Sequence, residues 1–216
     1  MRRTYYLVRH GETEWNAARR MQGQWDSRLS ESGRAHARQT GLFLSGLAVD
    51  AVYSSPLGRV RETLSVAGAH FDFPPVEDDR LKEWSSGEWS GYFYSEIKEL
   101  WPEEFAQWKT DMLNVRPRGG ENFSDLLRRG RSFLRDLESQ QKNTVAIVAH
   151  GFINRALAAI LLNLDAEEML SLRQTNDAIF RICINDAGTE AHHFIAGQGP
   201  YAGLPADRGF TRFISP

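Results

Sequence analysis

Four short runs rich in β-formers, "TYYLV" (4–8), "DAVYS" (50–54), "NTVAIVA" (143–149) and "AIFRICI" (178–184), recur along the chain with longer segments of helical period between them. Strands that alternate with helices are joined by crossovers, and crossovers lay helices over the faces of a sheet. The helical stripes agree with this. Phe123, Leu126, Leu127, Gly130, Leu134 and Leu137 fall on one face, as do Ile153, Leu157, Ile160, Leu161 and Leu164. Ser30 is a predicted N-cap for "ESGRAHARQTGLFLSGL", and Ser55-Pro56 predicts a cap residue followed by Pro at the first position of the next helix. The expected fold class is α/β: a three-layer sandwich with a mostly parallel central sheet flanked by helices.

Between Gly87 and Gly120 the pattern changes. Trp89, Tyr92, Phe93, Tyr94, Trp101, Phe105 and Trp108 crowd one insert closed by "RPRGGEN", which predicts a small helical lid over about 87–120. Its aromatics either form a core of their own or face an aromatic or apolar ligand. The Gly/Pro-rich tail, about 197–216, is expected to run extended over the surface or to be mobile. A chain of 216 residues, 41% hydrophobic, fits a single domain over 1–216. Lys and Arg number 26 against 28 Asp and Glu, so no overall basic field points to nucleic acid or an anionic membrane. The one cysteine, Cys183, excludes an intramolecular disulfide and a Cys-rich metal framework; in the alternating "IFRICIN" it reads as a core hydrophobe. The apolar run Tyr5–Val8 is too short for a signal peptide or a membrane span, so cytoplasmic residence is the default expectation.

Three polar clusters each follow directly on a predicted strand: Arg9-His10-Gly11, Ser54 to Arg59, and His150-Gly151. In an open parallel sheet the strand C-termini line one edge, where such folds bind ligands. Two of the clusters also open helices, whose free N–H groups and positive dipole ends favour an anion. Two arginines, two histidines and two helix N-termini converging on one spot suit a phosphate dianion.

"LVRHGETEWN", "MQGQWDSRLSESGRAHA", "VYSSPLGRVRET", "RLKEWSSGEWSG" and "AIVAHGFINRAL" follow in the order and spacing of the histidine phosphatase superfamily, which the chain resembles from about Tyr5 to Ile184. The resemblance implies His10 as a nucleophile toward phosphorus, Arg9 and Arg59 as clamps on the phosphoryl oxygens, His150 as a further phosphate ligand, and Glu83 as proton donor. Asn16, Gln22, Gly23 and Gly151 match positions near the bound substrate. It implies no cofactor and no metal. The expected partner is a small phosphorylated substrate; oligomeric state, monomer or homodimer, stays open. The chemistry suits these residues. An imidazole attacks phosphorus only when neutral, and adjacent guanidiniums favour the neutral ring.

The mutases of this family carry an acidic block Glu-Arg-His-Tyr-Gly, where this chain has Glu83-Trp84-Ser85-Ser86-Gly87. The expected function is therefore metal-independent phosphomonoester hydrolysis through a phosphohistidine. The alternatives are a cofactor-dependent phosphoglycerate mutase or a non-catalytic phosphate-binding module. Phe152 and Asn154 stand in "HGFINR" where the family often has Gly and an aliphatic residue, and Ser90 and Asn122 replace a common Glu and Ser. Phe152 is expected either to narrow the site or to pack in the core. His192-His193 lies on a strand, where neighbours point to opposite faces, a poor spacing for metal ligands. Arg128, Arg129, Arg131 and Arg135 read as an exposed helix flank.

Overall fold

The structure, a computed structural model, describes residues 2–68 and 74–207. Seven strands form one sheet: β1 (Arg3–Arg9), β2 (Ala51–Ser54), β3 (Val76–Glu77), β4 (Thr144–Ala149), β5 (Ala178–Asn185), β6 (Gly188–Ile195) and β7 (Gln198–Ala202), in the spatial order β3-β2-β4-β1-β5-β6-β7. β3, β2, β4 and β1 run parallel, with Leu7 opposite Ile147 and Tyr53 opposite Ile147 on its other side. β5, β6 and β7 add antiparallel neighbours beyond β1. From β5 onward the direction alternates because short hairpins join the strands. The chain turns at Gly188, and again at Ala196 and Gly197, which carry positive φ, and a short hairpin allows only antiparallel pairing. Part of the Gly/Pro-rich tail is thus an edge strand, while residues 208–216 of it lie outside the described residues.

The central strands are apolar throughout because both faces are covered. On one side Tyr5, Leu7, Tyr53, Val145 and Ile147 pack under α6 (Phe123–Ser139), α7 (Gly151–Leu162) and α8 (Ala166–Ser171). On the other, Tyr6, Val8, Val52, Ala146 and Val148 meet α2 (Glu31–Ser45) and α3 (Gly58–Ala67). This is the three-layer sandwich. Cys183 is buried in the sheet, and among the described residues no helix is long and apolar enough to cross a membrane.

Ser30 caps α2, its hydroxyl accepting the Gly33 N–H at 3.0 Å. Asn122 caps α6 in a reciprocal pair with Asp125, so this Asn does the work of the more common Ser. The expected start of α3 was two residues early: its N-cap is Leu57, without a side-chain bond, and Ser55 is engaged elsewhere. Between Gly87 and Gly120 the chain forms a 3-10 turn (Gly87–Trp89), α4 (Tyr94–Leu100) and α5 (Pro102–Thr110). Trp89, Phe105 and Trp108 bury one another there, with ring centroids 5.4 to 5.9 Å apart. These three rings form a core of the insert's own, while Tyr94 and Trp108 also face a neighbouring cavity.

Candidate active site

β2, β4 and β1 are sheet neighbours, so the residues that leave their C-terminal ends, Ser55, His150 and His10, meet at one edge. His10 is buried at 3% exposure. Its Nδ1 lies 2.8 Å from the Gly11 carbonyl; a carbonyl only accepts, so Nδ1 carries the proton. The lone pair is therefore on Nε2, which accepts the Arg59 Nε–H at 3.3 Å. The same N–H reaches Nδ1 of His150 at 3.1 Å, leaving His150 protonated on Nε2 and donating to Ser55 Oγ at 2.7 Å. Burial first, then the Arg59 charge, hold both rings well below the ordinary histidine range. Both are neutral imidazoles at pH 7.

Gly11 is needed here for space. Its φ is not positive; a Cβ on it would stand 2.4 Å from the Gly33 carbonyl oxygen in the first turn of α2. The reason is the close approach of α2. Gly23 does need its glycine conformation, with φ of 52°, and its carbonyl accepts Arg59 Nη2 at 2.8 Å. Arg59 is further tied through Nη1 to the Trp25 carbonyl at 2.7 Å and to Asp26 Oδ1 at 2.9 Å. Arg9 donates Nη1 to the Gln174 carbonyl at 2.6 Å, while its Nε is buried with no partner. Gln22 is alike: its Oε1 accepts from Thr13 Oγ1 at 2.8 Å, and its buried Nε2 has none. Two orphan donors at one cavity are what an anion's oxygens would satisfy.

The helix N-termini differ from expectation. The Gly58 and Arg59 N–H groups of α3 donate to Asp26, at 2.7 and 3.2 Å. Those of Phe152 and Ile153 in α7 donate to Glu83, at 3.2 and 3.3 Å. Each dipole already holds a carboxylate from this chain, so neither end is free for phosphate. Glu83 also accepts its neighbour Trp84 N–H at 2.9 Å. Its backbone carbonyl takes bonds from Gln24 and from Arg129, which also grips Glu121 and the Arg80 carbonyl. Arg129 is thus not part of an exposed flank; it braces the Glu83 loop.

A cavity of about 330 Å³ gathers Arg9, His10, Asn16, Gln22, Gly23, Arg59, Glu83 and Gly151 on its wall. His150 is the exception. Fully buried, it sits behind His10, ring centroids 5.1 Å apart, with its polar atoms given to Arg59 and Ser55. There it contacts Arg59 through Nδ1 and Ser55 through Nε2. Asn16 belongs to α1 (Glu14–Ala17), whose capping box uses its Oδ1 on the Thr13 N–H. Phe152 fills both expected parts, lining the cavity and packing on Trp84 and Phe123 at 5.6 and 5.1 Å. His192 and His193 form no pair; the His193 ring donates to the Gly203 carbonyl. Residues that sequence reasoning missed are Asp26, Tyr94, Arg155 and Asn176, the last donating to the His10 carbonyl at 2.9 Å. For Arg155 a signal existed: it stands four residues after Gly151 and so shares its helical face.

A buried neutral imidazole whose Nε2 lone pair faces a guanidinium at the edge of a small polar cavity fits one class of protein: a phosphatase. The chain belongs to the histidine phosphatase superfamily, whose branch 1 model matches residues 5–196. It is 36% identical over 167 residues to phosphoserine phosphatase 1 of Hydrogenobacter thermophilus, covering 76% of this chain and 79% of that protein. Over 209 residues it is 34% identical to a Yersinia pestis protein named "Probable phosphoglycerate mutase GpmB", covering 93% and 95% of the two. Among solved structures, mycobacterial glucosyl-3-phosphoglycerate phosphatase in complex with VO3 matches with a TM-score of 0.75 at 31% identity, over 83% of this chain and 92% of that one.

Proposed function

We propose that the protein hydrolyses phosphomonoesters of a small metabolite through a phosphohistidine on His10, without a metal ion. The observation that carries this reading is the fixed tautomer of His10: Nδ1–H is held by the Gly11 carbonyl, and the Nε2 lone pair stands beside Arg59 at the cavity. In the first step Nε2 bonds to phosphorus as the ester P–O bond breaks, and the proton that a monoanionic substrate brings in passes through Glu83 to the departing alkoxide. In the second, water attacks the phosphohistidine, Glu83 takes the water proton, and His10 leaves with its lone pair restored. Arg9, Arg59 and the Gln22 amide bear on the equatorial oxygens, where fixed charge supplies most of the acceleration. Hydrolysis rather than mutase transfer is favoured by Trp84, Ser85 and Ser86 in the acidic block, which offer no Arg, His or Tyr to retain the phosphoryl group.

A phosphate-release screen over a metabolite panel in EDTA tests the reading. The wild-type chain is expected to turn over at least one ester, with His10→Ala reduced by three orders of magnitude or more, about the loss seen when a nucleophile is removed. Rapid quench is expected to trap an acid-labile, alkali-stable phosphoryl group on His10. Substantial turnover by His10→Ala, or a label elsewhere, would overturn it.

A further inference from the structure

A second cavity, of about 520 Å³, opens at the end of the sheet where the parallel strands begin, opposite the edge that holds His10. Thr4 and Tyr6 of β1 and Arg181 of β5 form its floor, and Arg2 stands beside them. It shares no lining residue with the His10 cavity. Thr4 and Arg9 lie five positions apart on β1, about 16 Å at the usual rise of a strand, so one small molecule does not span both.

The charge there is positive and unmet. Neither Arg2 nor Arg181 has an ion pair among the described residues. Of the carboxylates nearby, Asp50 accepts the backbone N–H groups of Asn143 and Thr144, both at 2.8 Å, and Glu190, opposite Cys183 in the β5–β6 ladder, pairs with neither arginine. Arg181 is half-buried, and its Nε is shut in without an acceptor. Nδ1 of His192, directly across the ladder from Arg181, is buried without a partner as well. The Arg181 guanidinium carbon lies 5.5 Å from the centre of the Phe194 ring, a contact that gives its N–H groups no oxygen. A buried donor at a polar cavity is normally matched by an oxygen from whatever fills the cavity.

We propose that this cavity is a second binding site, for a small organic anion whose carboxylate or phosphate group rests on Arg181 and Arg2. A guanidinium takes either group in two parallel bonds. The body of the ligand lies against Tyr6, Leu47 and Ala48, the apolar part of the wall; a bare inorganic anion would leave that part uncovered. The volume falls within the ordinary range of small-molecule sites. This site is independent of the reaction proposed for His10, and either can fail without the other.

Calorimetric titration of the whole chain with phthalate, and with phenylphosphonate, whose P–C bond resists hydrolysis, tests the site, with neutral benzamide as the reference. At least one of the two anions is expected to bind with a Kd of about 1 mM or tighter, and the tighter of them tells carboxylate from phosphate chemistry. Benzamide should bind about 10-fold more weakly or worse, since it forms no charge-assisted bond. Arg181→Met is expected to weaken the anion by about 10-fold or more, and Arg181→Lys by less, because an ammonium keeps the charge without the fork. Binding of neither anion at about 10 mM, or benzamide binding as well as the anions, would overturn the inference. An affinity unchanged in Arg181→Met would place the anion elsewhere, in the His10 cavity for the phosphonate, and overturn it too. Should Arg181→Met fail to fold, Arg2→Gln, at an exposed position, decides: a loss of about 3-fold or more supports the site, and no loss refutes it.

Discussion

His10 and His150 share one donor, the Nε–H of Arg59, and neither ring can take a proton without turning that bond into repulsion. Their folded pKa values lie below the unfolded value, so the unfolded chain binds protons first as pH drops. Stability from this pair is complete above the unfolded histidine pKa and is lost below it, at about 1.4 kcal/mol per pH unit for each ring. Urea unfolding at pH 7.5 and 5.5 should therefore differ by about 3 kcal/mol from these two groups, and His10→Asn should remove about half of that difference. Equal pH dependence in wild type and variant would contradict the arrangement. Gly11→Ala tests packing instead: with the Gly33 carbonyl 2.4 Å from the new methyl, α2 must shift, and thermal unfolding should report a loss of about 1–3 kcal/mol. Much of this site was legible in sequence, because polar residues at strand ends have few structural reasons to be there. What escaped were partners rather than actors. Nothing local marks Asp26 as the ligand of a helix end 32 residues on.

α6 contributes Arg129 to the Glu83 loop, binding two carbonyls and the Glu121 carboxylate together. Its loss should let Glu83 drift without touching His10. Arg129→Met is expected to lower kcat on alkyl phosphates by about 10- to 100-fold, and far less on p-nitrophenyl phosphate, whose leaving group departs without a proton. A uniform loss on both would mean that Arg129 supports the fold alone. Asp26→Asn removes the charge at the N-terminus of α3 and one anchor of Arg59; KM should rise, and stability fall by about 1–2 kcal/mol, by the usual worth of such contacts. At this scale the sequence carried the strands and the long helices, since periods of 2 and 3.6 survive in the residues themselves. It did not carry the start of α3, because Ser55 as readily bonds His150 Nε2 as it caps a helix. It also did not mark Gln198–Ala202 as a strand, since an exposed edge needs no apolar alternation.

Across the whole molecule, the parallel half of the sheet sets the cavity at one edge, and the insert lends Tyr94 and Trp108 to its wall. Charged groups gather at this cavity although the chain is near neutral overall, which composition alone could not reveal. The same design bears on the end of the catalytic cycle. Sites that seat phosphate on open helix ends hold it tightly, since backbone donors and dipole act together. Here Asp26 and Glu83 already occupy both ends. Inorganic phosphate, stripped of its leaving group, would keep only side-chain contacts, and product inhibition is expected to be weak, with a Ki well above the substrate KM. A turnover that releases its product easily is one that neither accumulates dead-end complexes nor stalls as cellular phosphate rises.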